Sequence, residues 1–429
     1  MCSSGAVTSS AAHRAIDAIW RIESARLIAG LARIVRDVGV AEELAQDALV
    51  TALERWPDSG VPDNPGAWLM ATAKNRAIDL LRRGRLVEQK HEELGQQREP
   101  VAPDFAAAID DDVGDDLLRL MLIACHPVLS TEARVALTLR LLGGLTTAEI
   151  ARAFLVPEAT VAQRIVRAKR TLAEERVPFE VPRGQDLAAR LSSVLEVVYL
   201  VFNEGYSATA GYDWMRPALC EEALRLGRIL AGLAPAEPEV HGLVALMEIQ
   251  ASRAAARIGP AGEPILLLDQ NRARWDRLLI HRGLLALERA EQLGGAQGPY
   301  ALQAAIAACH ARAPTAAETE WPRIAALYAA LAQLTPSPVV ELNRAVAVAM
   351  AFGPAAGLEL VEALADEPSL QGYHLLPSVR ADLLAKLGRL DEARAELERA
   401  ASLTRNARER KLLLERAAGL EPMSRGGSP

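Results

Sequence analysis

The chain has 429 residues, of which 50% are hydrophobic, 24% charged and 4% aromatic, with a formal net charge of −7. The length exceeds one ordinary core and predicts two to four domains. Abundant Ala, Leu, Arg and Glu with few aromatics predict helices rather than sheet. The four cysteines, Cys2, Cys125, Cys220 and Cys309, form no CxxC pair, so neither a zinc site nor a disulfide framework is expected.

In chain order, the start "MCSSGAVTSSAAH" has no basic n-region or apolar h-region, and residues 1–12 are expected to be disordered. No run of about 18 apolar residues follows, so no membrane span is expected and the location expected is cytoplasmic. A first domain is expected over 13–93. Within it, "AEELAQDALVTALERW" (41–56) places Leu44, Ala48, Leu49, Ala52, Leu53 and Trp56 on one helix face, while Glu42, Glu43, Gln46 and Asp47 crowd its first half. The breaker-rich "PDSGVPDNPG" then interrupts, and Asn64–Pro65 reads as an N-cap followed by proline in the first turn. The next helix, "AWLMATAKNRAIDLLRRGR", divides into a packing side with Met70, Ala73, Ala77 and Leu80 and an outer side with Trp68, Thr72, Asn75, Asp79, Arg82 and Arg83. An aromatic ring at the head of a face ending in arginines suits single-stranded DNA; taken alone, it better suits a core tryptophan with charges that complement the helix dipole.

An acidic linker without apolar periodicity is expected over 94–116 and a second small domain over 117–176. The stretch "TTAEIARAFLVPEATVAQRIVRAKRTL" (146–172) reads as a helix-turn-helix. Thr146 and Glu149 fit a capping box, and Pro157 stops the first helix and suits the start of the second. On the second helix Val161, Ile165, Ala168 and Leu172 form one apolar stripe. Opposite them lie Ala159, Thr160, Gln163, Arg167 and Arg170, with Arg164 at the flank. Arg and Gln reach base edges bidentately in a major groove, while Lys169 and Arg170 suit phosphates. By itself the pattern also fits a solvated face on a core hairpin.

The ordered trio "AEELAQDALVTALERW", "NPGAWLMATAKNRAIDLLRR" and "ALTLRLLGGLTTAEIARAFLVPEATVAQRIVRAKRTL" resembles the extracytoplasmic-function (ECF) sigma factors of bacterial RNA polymerase over roughly 15–175. The resemblance implies that Glu43, Gln46 and Asp47 contact core RNA polymerase. It implies that the 57–85 segment melts and reads a −10 element through Asn64, Trp68, Thr72, Asn75, Arg76, Arg82 and Arg83. It further implies duplex −35 reading by Glu158, Ala159, Thr160, Gln163, Arg164, Arg167, Lys169 and Arg170, with the linker threading the polymerase's RNA channel.

A family member of minimal length would end near 175. Here "VPFEVPRG" (177–184) marks a boundary, and Ala-rich helices continue over an expected domain at 177–418, before a disordered tail at 419–429. "PSVRADLLAKLGRLDEARAELERAASL" places Ala381, Leu384, Gly388, Leu390, Ala393, Leu397 and Ala400 at tetratricopeptide (TPR) spacing, and a weaker copy centres on Gly353. "YLVFNEGYSAT", "LLLDQNRARWD", "GPYALQAAIAACHA" and "ETEWPRI" resemble the ECF subgroup that ends in a large TPR-like domain, with Asn271 standing where that pattern carries an acidic residue. The clusters Asn203/Glu204/Tyr206 and Gln270/Arg272/Trp275 either tie helices together or line a ligand pocket, and His126 and His310 read as packing or capping residues.

The expected fold is thus all-α: two small helical sigma domains, the second a helix-turn-helix, then a TPR-like α-solenoid. The expected function is that of a sigma factor that binds core RNA polymerase and promoter DNA and directs initiation. Its C-terminal domain is expected to regulate through a protein partner or an intramolecular contact. No catalytic site, cofactor, metal or membrane partner is expected, since no P-loop, nucleophile elbow or paired catalytic carboxylate occurs. Two other classes fit parts of the chain: a stand-alone helix-turn-helix regulator with a ligand-sensing helical domain, and a helical extension that is itself a small-molecule enzyme or receptor.

Overall fold

Several helices of the N-terminal half begin where a side-chain oxygen accepts an otherwise unpaired backbone amide. Asp37 accepts from Val40 (3.0 Å), Ser130 from Ala133 (3.4 Å) and Thr146 from Glu149 (3.2 Å). The computed structural model describes residues 4–92, 113–154, 156–182, 185–207, 210–211, 215–260 and 262–420. It divides into two compact units, Met1–Val198 and Tyr199–Pro429.

The first unit comprises α1 (Ser4–Val35), α2 (Val38–Ser59), α3 (Pro65–Glu92), α4 (Val113–Ala124), α5 (Thr131–Leu141), α6 (Thr147–Phe154), α7 (Glu158–Glu174) and the first part of α8 (Gln185–Tyr206). Helix α1 packs on α2, α3 and α4, burying Ile28 and Leu31 with Leu44, Ala48 and Trp56 of α2 and Leu69, Ala73 and Ala77 of α3. Helices α6 and α7 form the helix-turn-helix, and α7 packs on α5.

Three expectations change here. Helix α1 begins at Ser4, so residues 4–12 are helical; Ala6, Ala11 and Ala12 favour that state. The expected linker falls mostly on 93–112, outside the described residues, and its last residues open α4. There Asp116 is buried between Arg33 (3.1 Å) and Arg119 (2.6 Å), fastening α4 to α1. The Pro-rich boundary at 177–184 does not end the first unit, because residues 185–198 belong to it. Arg134 of α5 donates to Ser193 Oγ (2.5 Å) and pairs with Glu196 (2.9 Å), while Ser193 donates to the Cys125 carbonyl (2.5 Å).

The second unit continues from α8 through α9 (Pro217–Leu233), α10 (Pro238–Ala251), α11 (Arg277–Gln292), α12 (Pro299–Arg312), α13 (Trp321–Leu334), α14 (Pro338–Phe352), α15 (Pro354–Glu362), α16 (Leu375–Lys386), α17 (Leu390–Leu403) and α18 (Ala407–Ala418). Proline opens five of these helices, where its missing N–H is no loss. The repeat pattern is realised in α14–α17: Ala381, Leu384, Ala393, Leu397 and Ala400 are buried. Gly353 (φ +103°) and Gly388 (φ +78°) turn each helix pair, and open space around both shows that backbone angle, not crowding, requires glycine. Asn271 caps a 3-10 turn by accepting from Ala273 N (3.0 Å), a task that an acidic residue does equally. His126 Nδ1 accepts from Val128 N (3.0 Å), and His310 is buried edge-on to Trp321, ring centroids 5.2 Å apart.

The two ends of this unit meet. Ala210–Gly211 pairs in parallel with Arg405–Asn406, and Arg408 donates to the Gly262 carbonyl (2.7 Å). Among the described residues no helix is long and apolar enough to cross a membrane.

Because α8 completes the first unit, a chain ending at 176 is expected to melt at a lower temperature than one ending at 206. Circular dichroism at 222 nm checks this, and equal melting temperatures would show that Ser193 and Glu196 contribute nothing to that unit.

Candidate nucleic-acid interface

The capping box at the start of α6 is formed in both directions: Glu149 accepts from Thr146 N (2.8 Å) while Thr146 Oγ1 accepts from Glu149 N. The Thr146 amide is the main cause holding the Glu149 carboxyl below the usual carboxylate range. Arg21 of α1 also reaches Glu149 (3.1 Å), so the turn is anchored to the rest of the unit. On α7 the predicted stripe Val161, Ile165, Ala168 and Leu172 is buried throughout.

The outer side of α7 exposes Glu158, Ala159, Gln163, Arg167 and Arg170, with Thr160 and Arg164 half-buried. Arg170 pairs with Glu174 at 2.7 Å. Val166, 65% exposed, stands among these polar groups. It sits between Gln163 and Arg167 in the sequence, an apolar residue on an otherwise polar face. Lys169 is turned away from that face and pairs with Glu42 of α2.

Glu42 is the residue that sequence reasoning passed over. It lies beside Glu43, yet it is 3% exposed where Glu43 is exposed. Its carboxylate meets Arg140 Nε of α5 (2.7 Å), Lys169 of α7 and Gln46 Nε2 (2.6 Å), joining three helices at one point. The signal was its phase: one position after buried Ala41 and three before buried Ala45, on the flank of the apolar face.

On α3 the packing side runs through Leu69, Ala73 and Ala77, with Met70 half-buried. Leu80, expected inside, is 47% exposed, because a stripe at spacing four turns away from it as the helix leaves the core. Asn64 caps the helix by accepting from Ala67 N (3.0 Å). Trp68 is half-buried, its ring edge-on to buried Trp56 at 5.2 Å between centroids. Thr72 donates to the Trp68 carbonyl (2.9 Å), and Asn75, Arg82 and Arg83 are exposed. Arg76 binds Asp47 (3.0 Å) and donates to Thr51 Oγ1 (3.0 Å). Residues assigned to separate surfaces, Arg76 and Asp47, are therefore paired, while Glu43 stands free of them on the exposed side of α2.

The first unit thus carries a helix-turn-helix and, on a separate helix, a basic face headed by a tryptophan. Residues 22–86 match the family described as Sigma-70 region 2, and residues 119–172 match Sigma-70, region 4. Residues 190–291 match a family of unknown function, DUF6596. An uncharacterized protein of Rhizobium meliloti (strain 1021), R00370, is 45% identical over 381 residues, covering 88% of this chain and 89% of that protein. The ECF RNA polymerase sigma factor SigK of Mycobacterium ulcerans is 30% identical over 146 residues, 33% of this chain and 75% of SigK. The probable ECF RNA polymerase sigma factor SigI of Mycobacterium tuberculosis is 28% identical over 174 residues, 40% of this chain and 59% of SigI. No solved structure matches. The chain belongs to the ECF RNA polymerase sigma factors and carries a long helical C-terminal extension beyond the two sigma regions.

Glu42→Ala removes the acceptor shared by Arg140 and Lys169. It is expected to lower the stability of the first unit by roughly 1.5–3 kcal/mol, the range for hydrogen bonds to charged groups. Urea unfolding followed by tryptophan fluorescence measures it; an unchanged midpoint would mean that the three-helix junction is not held there.

Proposed function

We propose that this chain directs core RNA polymerase to promoters through three surfaces of its first unit. The exposed side of α2, with Glu43, Gln46 and Asp47, docks on the polymerase. The α3 segment opens and reads the −10 element, with Asn64, Trp68, Thr72 and Asn75 near the unstacked bases and Arg82 and Arg83 on the backbone. The exposed side of α7 reads the −35 duplex: Gln163 and Arg167 address base edges, Val166 meets a thymine methyl, and Arg164 and Arg170 neutralise phosphates. The observation that carries this reading is the clean division of α7, a fully buried stripe on one side and Gln163, Val166, Arg167 and Arg170 on the other. Binding parts α7 from α2, which releases Lys169 from Glu42 for a phosphate. Arg76 is held by Asp47, so its contribution to DNA contact is through fixing α3 on α2. The protein acts in the cytoplasm, and bond formation belongs to the polymerase. The extension regulates this activity.

Run-off transcription with core polymerase tests the reading: promoter-dependent transcript is expected, and DNA binding without any core binding would make the protein a stand-alone regulator instead. Comparing the full chain with one ending at 206 gives the sign of control by the extension. Arg167→Ala should weaken binding to a duplex −35 site by about 1–3 kcal/mol if it reads a base, seen by fluorescence anisotropy. Trp68→Ala should leave that duplex binding intact yet reduce permanganate reactivity of −10 thymines, with Trp68→Phe restoring part of it. Full reactivity in Trp68→Ala would remove the single-strand role from α3.

A further inference from the structure

Downstream of α10 the chain buries three guanidinium groups close together: Arg253, Arg257 and Arg272, each no more than 8% exposed. Guanidinium stays charged at any physiological pH, so burying it requires acceptors. Arg272 is satisfied by neutral ones, the carbonyls of His310 (2.7 Å) and Ala313 (2.5 Å) and Thr319 Oγ1 (3.0 Å). Arg257 donates to the Tyr206 carbonyl and lies over the Tyr206 ring at 3.5 Å. These two tie loops to helices, which settles the structural role of Arg272.

Arg253 is different. It has no carboxylate partner and no hydrogen bond among the described residues, and its Nε is buried without an acceptor. The ring faces of Tyr206 and Trp275 lie near, each centroid 5.8 Å from the guanidinium carbon. The positive charge of Arg272 lies near as well, and both arginines depress the neighbouring imidazole, second to its own burial.

A cavity of about 380 Å³ opens against Arg253 within the second unit, between α8, α10, α12, α13 and α14. Its polar lining includes Tyr199, Gln250, Gln303, His310, Tyr328 and Asn343, and aliphatic residues complete it. Two of these carry buried polar atoms with no partner, Gln250 Oε1 and His310 Nδ1. Burial holds the His310 imidazole neutral, its pKa lowered to about 3, and keeps the Tyr328 phenol protonated, its pKa raised to about 12. Polar groups buried in a folded protein are normally paired. Here an unpaired cation, an unpaired amide oxygen and an unpaired ring nitrogen line the same cavity, whose volume lies in the range of small-molecule sites.

We propose that this cavity binds a small organic anion, a carboxylate or phosphate monoester on a compact apolar body, whose charge pairs with Arg253. The planar fork of Arg253 receives the anionic oxygens, Tyr328 donates to the ligand, and Gln250 Oε1 and His310 Nδ1 accept from its polar substituents. The aliphatic wall covers the body. The extension then gives the sigma factor a chemical input of its own.

The test uses the full chain in thermal melts at fixed ionic strength, with millimolar benzoate, hexanoate, 4-hydroxybenzoate, phenyl phosphate or inorganic phosphate against chloride. At least one organic anion should raise the melting temperature; whether carboxylates or phenyl phosphate do so identifies the head group, and a response to inorganic phosphate alone would contradict the apolar body. Arg253→Gln should abolish the rise while melting no lower than wild type without ligand, because it removes a buried charge that lacks a partner. Arg253→Lys keeps the charge without the fork and should retain a weaker rise. Three results would each overturn the proposal: no probe shifts the wild type, the shift persists in Arg253→Gln, or both variants melt well below the wild type, which would make Arg253 a structural tie.

Discussion

A charge taken out of water needs an opposite charge or several dipoles beside it, and the arrangement of this chain follows from where that need is met. Asp116 meets it with Arg33 and Arg119, fastening α4 to α1. Glu42 meets it with Arg140 and Lys169, fastening the helix-turn-helix to α2. In the second unit Glu204 is paired with Arg216, and Glu248, 1% exposed, lies by Arg228 (2.8 Å) and Arg282 (3.6 Å). Asp116, Glu42 and Glu248 thus each join separate helices, and Glu204 holds the start of α9. Arg253 is the buried charge for which the described residues supply neither a counterion nor a hydrogen-bond acceptor, and that exception marks the cavity.

The same interaction bears on how the proposed DNA surfaces are presented. On the proposed reading, Lys169 cannot serve a phosphate while it serves Glu42, so the junction that joins α7 to α2 withholds one cation until binding. Arg76 and Asp47 stand in the same relation on α2 and α3. In the proposed complex a phosphate would offer Lys169 a replacement partner, so parting α7 from α2 would cost less there than in isolation.

Much of the first unit was legible in the sequence because its signals are local. The Thr146–Glu149 box, the Asn64 cap and the α7 stripe depend on spacings of three or four residues, and each formed as written. The family resemblance, too, rests on such local motifs in order. What escaped depends on contacts across long stretches of chain. Nothing near Glu42 announces that Arg140 and Lys169 will enclose it, and nothing near Ser193 announces Arg134. The "VPFEVPRG" breaker is a true interruption of helix, but an interruption of helix is not an end of packing. In the extension, sequence singled out Gln270, Arg272 and Trp275 as polar candidates. Arg272 proved to be a tie between backbone carbonyls, and the cavity lies against Arg253, a residue with no motif around it.

The pairing of Ala210–Gly211 with Arg405–Asn406 is only two residues long, yet it alters the character of the helical array. Stacked repeats touch only their neighbours, so an open array frays from whichever terminus is weaker, one repeat at a time. Joining first to last removes the free terminus. Loss of the outermost helices must then break the seam and a repeat interface together, and the closed loop of chain limits the entropy gained by doing so. Partial unfolding is thereby discouraged in favour of concerted unfolding, and the Arg408–Gly262 hydrogen bond reinforces the seam across 146 residues of chain.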